Sequence, residues 1–171
     1  KFYHLNIRSL LPKIDELRGT DGVFNQDASI IGFTESHLST VVDDSEILIN
    51  GYKIFRRDRT NKPGGGVVAY VRNNLNCFNR SDIESENVES LWLELIQKGS
   101  TPLLLCILYR PPDSVVEWYD KFEKELDTAC AYSPNVIIMG DFNIDFLTNV
   151  HKTWENMYNS YGFTQILNKP T

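Results

Sequence analysis

Seven apolar runs of four to seven residues recur along the chain, over 2–7, 28–34, 52–56, 66–71, 91–96, 103–109 and 136–139. Runs of this length read as β-strands, and a chain built from so many of them has to stack its sheets in layers to bury them. The purely apolar stretch LLLCIL, 103–108, is far below the roughly 20 residues that a membrane span requires, so no membrane partner is expected.

Two stretches carry helical period instead. Over 114–132, Ser114 and Glu117 have the spacing of a capping box, and Val115, Trp118, Phe122, Leu126 and Ala129 form one apolar stripe, which reads as core rather than as a binding face. The other runs over 151–160 and ends where Gly162 can take a left-handed cap. A shorter helix is expected after Ser9, with Pro12 tolerated in its first turn. Strands alternate with helices at both ends and follow one another in the middle, which predicts a layered α/β (α+β) fold in one domain over 1–171. The segment PGGGVVAYV reads as a tight glycine hairpin turn between two strands; no Lys-Ser/Thr follows it, as a phosphate-binding P-loop would need.

Composition narrows the class. With 42% hydrophobic and 23% charged residues the chain is not disordered, and a net charge of −6 gives no global basic footprint, so contact with a polyanion would need a local patch. The three cysteines, Cys77, Cys106 and Cys130, include no CxxC pair and read as reduced, which predicts an intracellular location.

The informative pattern is what ends the apolar runs: Asn6, Glu35, Tyr109, and then Asp141 with Asn143 in NVIIMGDFNID. Each alone has a local account, as a cap, an ion pair or an Asx-turn. Together they fit sheets whose functional groups gather where strands leave the core and converge on a crevice. Mg²⁺ takes one or two protein carboxylates and leaves its other positions to water and substrate phosphate. Glu35 is the best ligand candidate, Asp141 suits the orientation of an attacking water, and Asn6, Asn143 and Tyr109 are neutral groups able to hold phosphate oxygens. Arg8 and Arg110, close behind two of these positions, are candidates for local positive charge, whereas Asp145 reads as a loop cap.

The motifs LNIRSL, TESHL, RRDR…GGGVVAYVR, LYRPP and GDFNID, in this order along nearly the whole chain, resemble the endonuclease/exonuclease/phosphatase superfamily. Within it they resemble the apurinic-type endonuclease domain of non-LTR (LINE-like) retrotransposons. The resemblance implies a four-layer sandwich of two mixed β-sheets flanked by helices, and Mg²⁺-dependent hydrolysis (Mn²⁺ serving as a substitute) of a DNA phosphodiester. The nick would prime a downstream reverse transcriptase of the same polyprotein, and the domain would be nuclear when acting. It further implies metal-site roles for Asn6 and Glu35, phosphate contact by Tyr109, orientation of water and substrate by Asp141 and Asn143, and substrate contact by Thr171. His37 stands where the family more often has an aromatic residue.

Family members continue past KPT to a final strand with an Asp and a segment ending in a catalytic His. The resemblance therefore implies a domain incomplete at its C-terminus, impaired in cleavage, and left with an exposed sheet edge that invites association. His4 shares strand parity with Asn6, and His37 with Glu35, so either can face the crevice. A hydrogen-bonded or solvated histidine is the commoner finding for both, and His151, opening a helix, is a poorer candidate. Two other readings stand beside the nuclease: a phosphoesterase of the same superfamily acting on a lipid head group, an inositol phosphate or RNA, and a degenerate, non-catalytic DNA-binding module.

Overall fold

Two four-stranded sheets stack in the computed structural model, which describes residues 1–19, 27–60, 63–147 and 152–167. In the first, β1 (Phe2–Asn6) pairs parallel with β2 (Ile30–Thr34), and β2 pairs antiparallel with β4 (Val67–Arg72), which takes β3 (Tyr52–Arg57) on its other side. The second runs β5 (Cys77–Asn79), β6 (Glu89–Leu95), β7 (Leu103–Tyr109), β8 (Asn135–Asp141); only β7 and β8 are parallel.

The layers follow from strand period. Ile30, Val67, Ala69 and Val71 from the first sheet meet Leu91, Leu93, Leu105 and Ile107 from the second to form the central core. Residues of opposite parity point outward. Ile31, Phe33, Val68 and Tyr70 pack under the 3₁₀ turn Leu11–Lys13 and the short helix α1 (Ile14–Arg18). On the far side Trp92, Leu104, Cys106 and Leu108 pack under α2 (Val116–Tyr132) and α3 (Lys152–Ser160). The result is the four-layer arrangement with two mixed sheets.

Several local expectations need correction. The helix expected from 114 begins later, because the Ser114 hydroxyl donates to the Pro111 carbonyl at 2.6 Å instead of capping; Val115 takes the N-cap position and is 64% exposed. Trp118, Phe122, Leu126 and Ala129 are buried as the stripe predicted. The glycine segment does lie between two antiparallel strands, but β3 and β4 are joined by the long connection 58–66 rather than a tight hairpin. Strand β5 has only three residues, two of them exposed, and carries no apolar run. In α3 the Phe163 amide donates to Tyr158 O and Gly162, at φ 71°, to Asn159 O, the double bond of a Schellman cap. His151, expected at that helix's start, lies outside the described residues. Among the described residues no helix is long and apolar enough to cross a membrane.

A carboxylate on the apolar face of α2 pins helix to sheet. Glu125, fully buried, accepts from Trp92 Nε1 at 2.8 Å and from the Ser85 amide at 2.6 Å. Burial raises its pKa and these donors only partly oppose the rise. A carboxyl group with a raised folded pKa contributes stability that is complete below its unfolded value and is lost as pH rises through the folded value. Wild type should therefore gain stability relative to Glu125→Gln as pH is lowered from about 8 to about 5. Glu125→Ala leaves both donors unsatisfied, and calorimetry should find a loss of about 2–4 kcal/mol.

A candidate active site at the ends of two parallel strand pairs

The two parallel pairs, β1–β2 and β7–β8, lie in different sheets, and they touch: β1 packs against β8, and β2 against β7 and β8. In a parallel pair both carboxyl ends fall on one side. The last register pairs are Asn6 with Thr34 and Tyr109 with Asp141, so four chain exits come together at one rim.

Asn6 is the link. Its amide nitrogen donates to Glu35 Oε1 at 2.8 Å and to Asp141 Oδ2 at 2.5 Å, so one NH₂ group joins carboxylates carried by opposite sheets. The Asn6 carbonyl oxygen is buried without a hydrogen-bond partner. Glu35 follows β2 with φ 52°, a left-handed conformation rare outside glycine. It is held there by Ser9 N–H on its carbonyl at 2.8 Å, while the next two amides, of Ser36 and His37, donate to Gly66 O and Gly65 O.

Tyr109, 7% exposed, hydrogen-bonds Glu35, and its pKa is pushed up to about 12 by burial first and by the Glu35 carboxylate second. The phenol therefore keeps its proton at neutral pH. Asp141 Oδ1 accepts from the Asn143 amide at 3.2 Å, an Asx-turn with Asn143 at φ 49°, and the Asn143 side chain donates to Arg110 O at 2.8 Å. The local account of Asp141 and its place in the crevice thus hold together.

The glycine before Asp141 has a steric cause. A Cβ on Gly140 would stand 1.8 Å from Leu108 O, inside the neighbouring backbone. Asp145 serves its own loop by accepting from Leu147 N at 2.9 Å.

Not every candidate converges. The Arg110 guanidinium lies 5.7 and 5.4 Å from the rings of Trp118 and Tyr119, buried under α2 on the outer face of the second sheet, because its neighbour Tyr109 takes the inward parity. Arg8 is exposed beyond the end of β1. Thr171 lies outside the described residues.

Both described histidines reach the rim. His4 Nε2 is 3.1 Å from Thr34 Oγ1, and burial lowers its pKa to about 4 against the pull of Asp141. His37 Nε2 stands 3.7 Å from Glu35 Oε2.

Two residues were missed by sequence reasoning. Arg59 lies 5.7 Å from the Tyr109 ring and pairs with Glu89 Oε1 at 2.5 Å, and the other Glu89 oxygen accepts from Gly66 N at 2.7 Å. Gly65 leaves the space this pair fills, since a Cβ there would be 2.3 Å from both groups. Arg59 thus places a guanidinium beside Tyr109 at the rim. A cleft of about 410 Å³ opens beside it, lined by Arg59, Glu89, Pro111 and Trp118 among others, but neither Glu35 nor Asp141 lines it.

The donor set suits a hard divalent cation. Among the described residues no three His, Cys, Asp or Glu side chains cluster. Two carboxylates sharing one amide, beside a buried, unpartnered carbonyl oxygen, nevertheless match what Mg²⁺ takes from protein.

This α/β fold of two mixed sheets is that of a family of hydrolytic nucleases and phosphatases. The chain belongs to the Endonuclease/Exonuclease/phosphatase family, whose pattern matches residues 4–166; enzymes of this family generally use divalent metal ions. Among solved structures it is similar to the endonuclease domain of TRAS1, a telomere-specific non-LTR retrotransposon, with 12% identity and a TM-score of 0.66 over 93% of this chain and 70% of that one. It is also similar to the AP endonuclease LMAP from Leishmania major, with 14% identity and a TM-score of 0.72 over 94% of this chain and 65% of that one. For the 3′ phosphatase NExo from Neisseria the figures are 14% identity, a TM-score of 0.53, and 84% and 56% coverage. At such identities the likeness is one of fold. No curated protein sequence matches the chain.

Gly140→Ala should force β7 and β8 apart next to Asp141. A loss of at least about 2 kcal/mol in denaturant unfolding is expected, with weakened divalent-ion binding in the fraction that remains folded.

Proposed function

We propose that this chain is a Mg²⁺-dependent DNA endonuclease domain that nicks one strand of a retrotransposon target site, with Mn²⁺ able to replace Mg²⁺. The observation that carries the reading is the Asn6 amide joining Glu35 and Asp141 across two sheets, with Tyr109 on Glu35. Glu35 and the Asn6 carbonyl would hold the ion, which when bound polarises a phosphoryl oxygen and offsets charge on the leaving group.

The remaining work falls to the chain's own groups. Asp141, steadied by Asn6 and the Asn143 amide, orients the attacking water and accepts its proton at a carboxylate oxygen. Tyr109, protonated at neutral pH, donates to a phosphate oxygen once substrate takes the place of Glu35 as its acceptor. Asn143 would contact the same phosphate on release of its bond to Arg110 O. Arg59 supplies nearby positive charge that the net −6 conceals.

The likeness to the endonuclease domain of the TRAS1 retrotransposon supports DNA as substrate; a downstream reverse transcriptase domain as partner and action in the nucleus belong to the same proposal. The likeness to the phosphatase NExo favours a second reading, a phosphomonoesterase on the same rim.

Supercoiled plasmid distinguishes them. Slow Mg²⁺-dependent conversion to open circles is expected, with the rate falling about 100-fold further in Glu35→Ala and in Asp141→Asn. Release of phosphate from a phosphomonoester with duplex DNA left intact would favour the second reading. A chain whose DNA affinity ignored both Mg²⁺ and Glu35→Ala would be a binding module instead.

A further inference from the structure

Of the two histidines at the rim, His4 has its Nε2 engaged by the buried Thr34 Oγ1. His37 differs. Its Nε2 faces Glu35 Oε2 at 3.7 Å, its ring is 36% exposed, and the Glu35 side chain is 20% exposed. Two ligand atoms each about 2.1 Å from one metal lie about 3.0–3.4 Å apart at octahedral to tetrahedral angles. A shift of a few tenths of an ångström in an unburied ring closes that gap.

The backbone holds the imidazole at this spot. Glu35 and His37 both take φ 52°, and left-handed non-glycine residues cluster where surrounding structure has a use for the strain. The His37 amide is fixed on Gly65 O at 2.8 Å. Gly64 passes 3.6 Å from Nε2, measured to the position a Cβ would take, so at this point of the loop no side chain covers the nitrogen. The side-chain oxygen of Asn6, buried and unpartnered while its Nδ2 donates to Glu35, is an independent sign of a missing ligand beside Glu35.

We propose that His37 is itself a metal ligand, through Nε2, beside Glu35 and the Asn6 carbonyl, and that it tunes the site toward first-row transition ions over Mg²⁺. The inference rests on the metal-site reading given above. Imidazole raises affinity for Co²⁺ and its neighbours, whereas Mg²⁺ gains little from a nitrogen donor.

Titration calorimetry of the purified chain with Co²⁺ and with Mg²⁺ tests it. His37→Gln should lower Co²⁺ affinity by about tenfold or more while Mg²⁺ affinity stays within about twofold. The Co²⁺-loaded wild type should show a hyperfine-shifted imidazole N–H resonance that His37→Gln lacks, a signature that loss of structure alone would not imitate if circular dichroism is unchanged. An unaltered Co²⁺ to Mg²⁺ ratio, or a shifted resonance that persists in His37→Gln, would overturn the role of His37. Glu35→Ala separates the two levels: loss of both ions keeps the metal site and leaves only His37 in question, whereas retention of both, or a wild type that binds neither, overturns the metal-site reading and His37 with it.

Discussion

Two carboxylates from opposite sheets sharing one amide nitrogen is the arrangement on which everything else at the rim depends. Glu35 and Asp141 lie 2.8 and 2.5 Å from Asn6 Nδ2, close enough for like charges to repel strongly unless a donor or a cation stands between them. Each layer of the fold contributes to keeping them there. The crossover through α1 returns β2 parallel to β1, the crossover through α2 returns β8 parallel to β7, and the central core presses the two pairs together. Packing from both sheets thus converges on the two carboxylates and the amide that stands between them.

A second set of contacts guards the geometry of Glu35. Glu89 ties Arg59 and the Gly66 amide together, and the carbonyls of Gly65 and Gly66 receive the amides that follow Glu35. The glycines are thus structural after all, though not as a hairpin turn. Their left-handed backbone and absent side chains let a buried ion pair sit against the loop that shapes the rim.

What could be read from the sequence divides along physical lines. Seven of the strands announce themselves because burial demands unbroken apolar runs, and the residue at which such a run stops marks the exit from the core; Asn6, Glu35, Tyr109 and Asp141 were legible for that reason. Strand β5 was not, since two of its three residues face solvent. Arg59 and Glu89 stand 30 positions apart and meet only through the register of two sheets, which no local pattern encodes. Glu125 offered a signal that went unused: it falls at helical spacing between Phe122 and Ala129, where a charge on an apolar face calls for a buried partner. Arg110 misled because its distance in sequence from the crevice is one residue, and in a strand one residue is the opposite face.

The strands that carry the two carboxylates differ in kind. β2 is flanked by hydrogen-bonded strands on both sides and buried along its whole length, so Glu35 is mounted on one of the stiffest parts of the molecule. Among the described residues β8 is the last strand of its sheet, paired with β7, and it is just partly buried through Ile137, Ile138 and Met139. The rim is therefore a vice with one fixed jaw and one sprung jaw. The opening between its carboxylates depends on the β7–β8 ladder, on the packing of β8 against β1 and β2 and on the Asn6 amide, and anything that braces or loosens these changes the size of group the vice can grip.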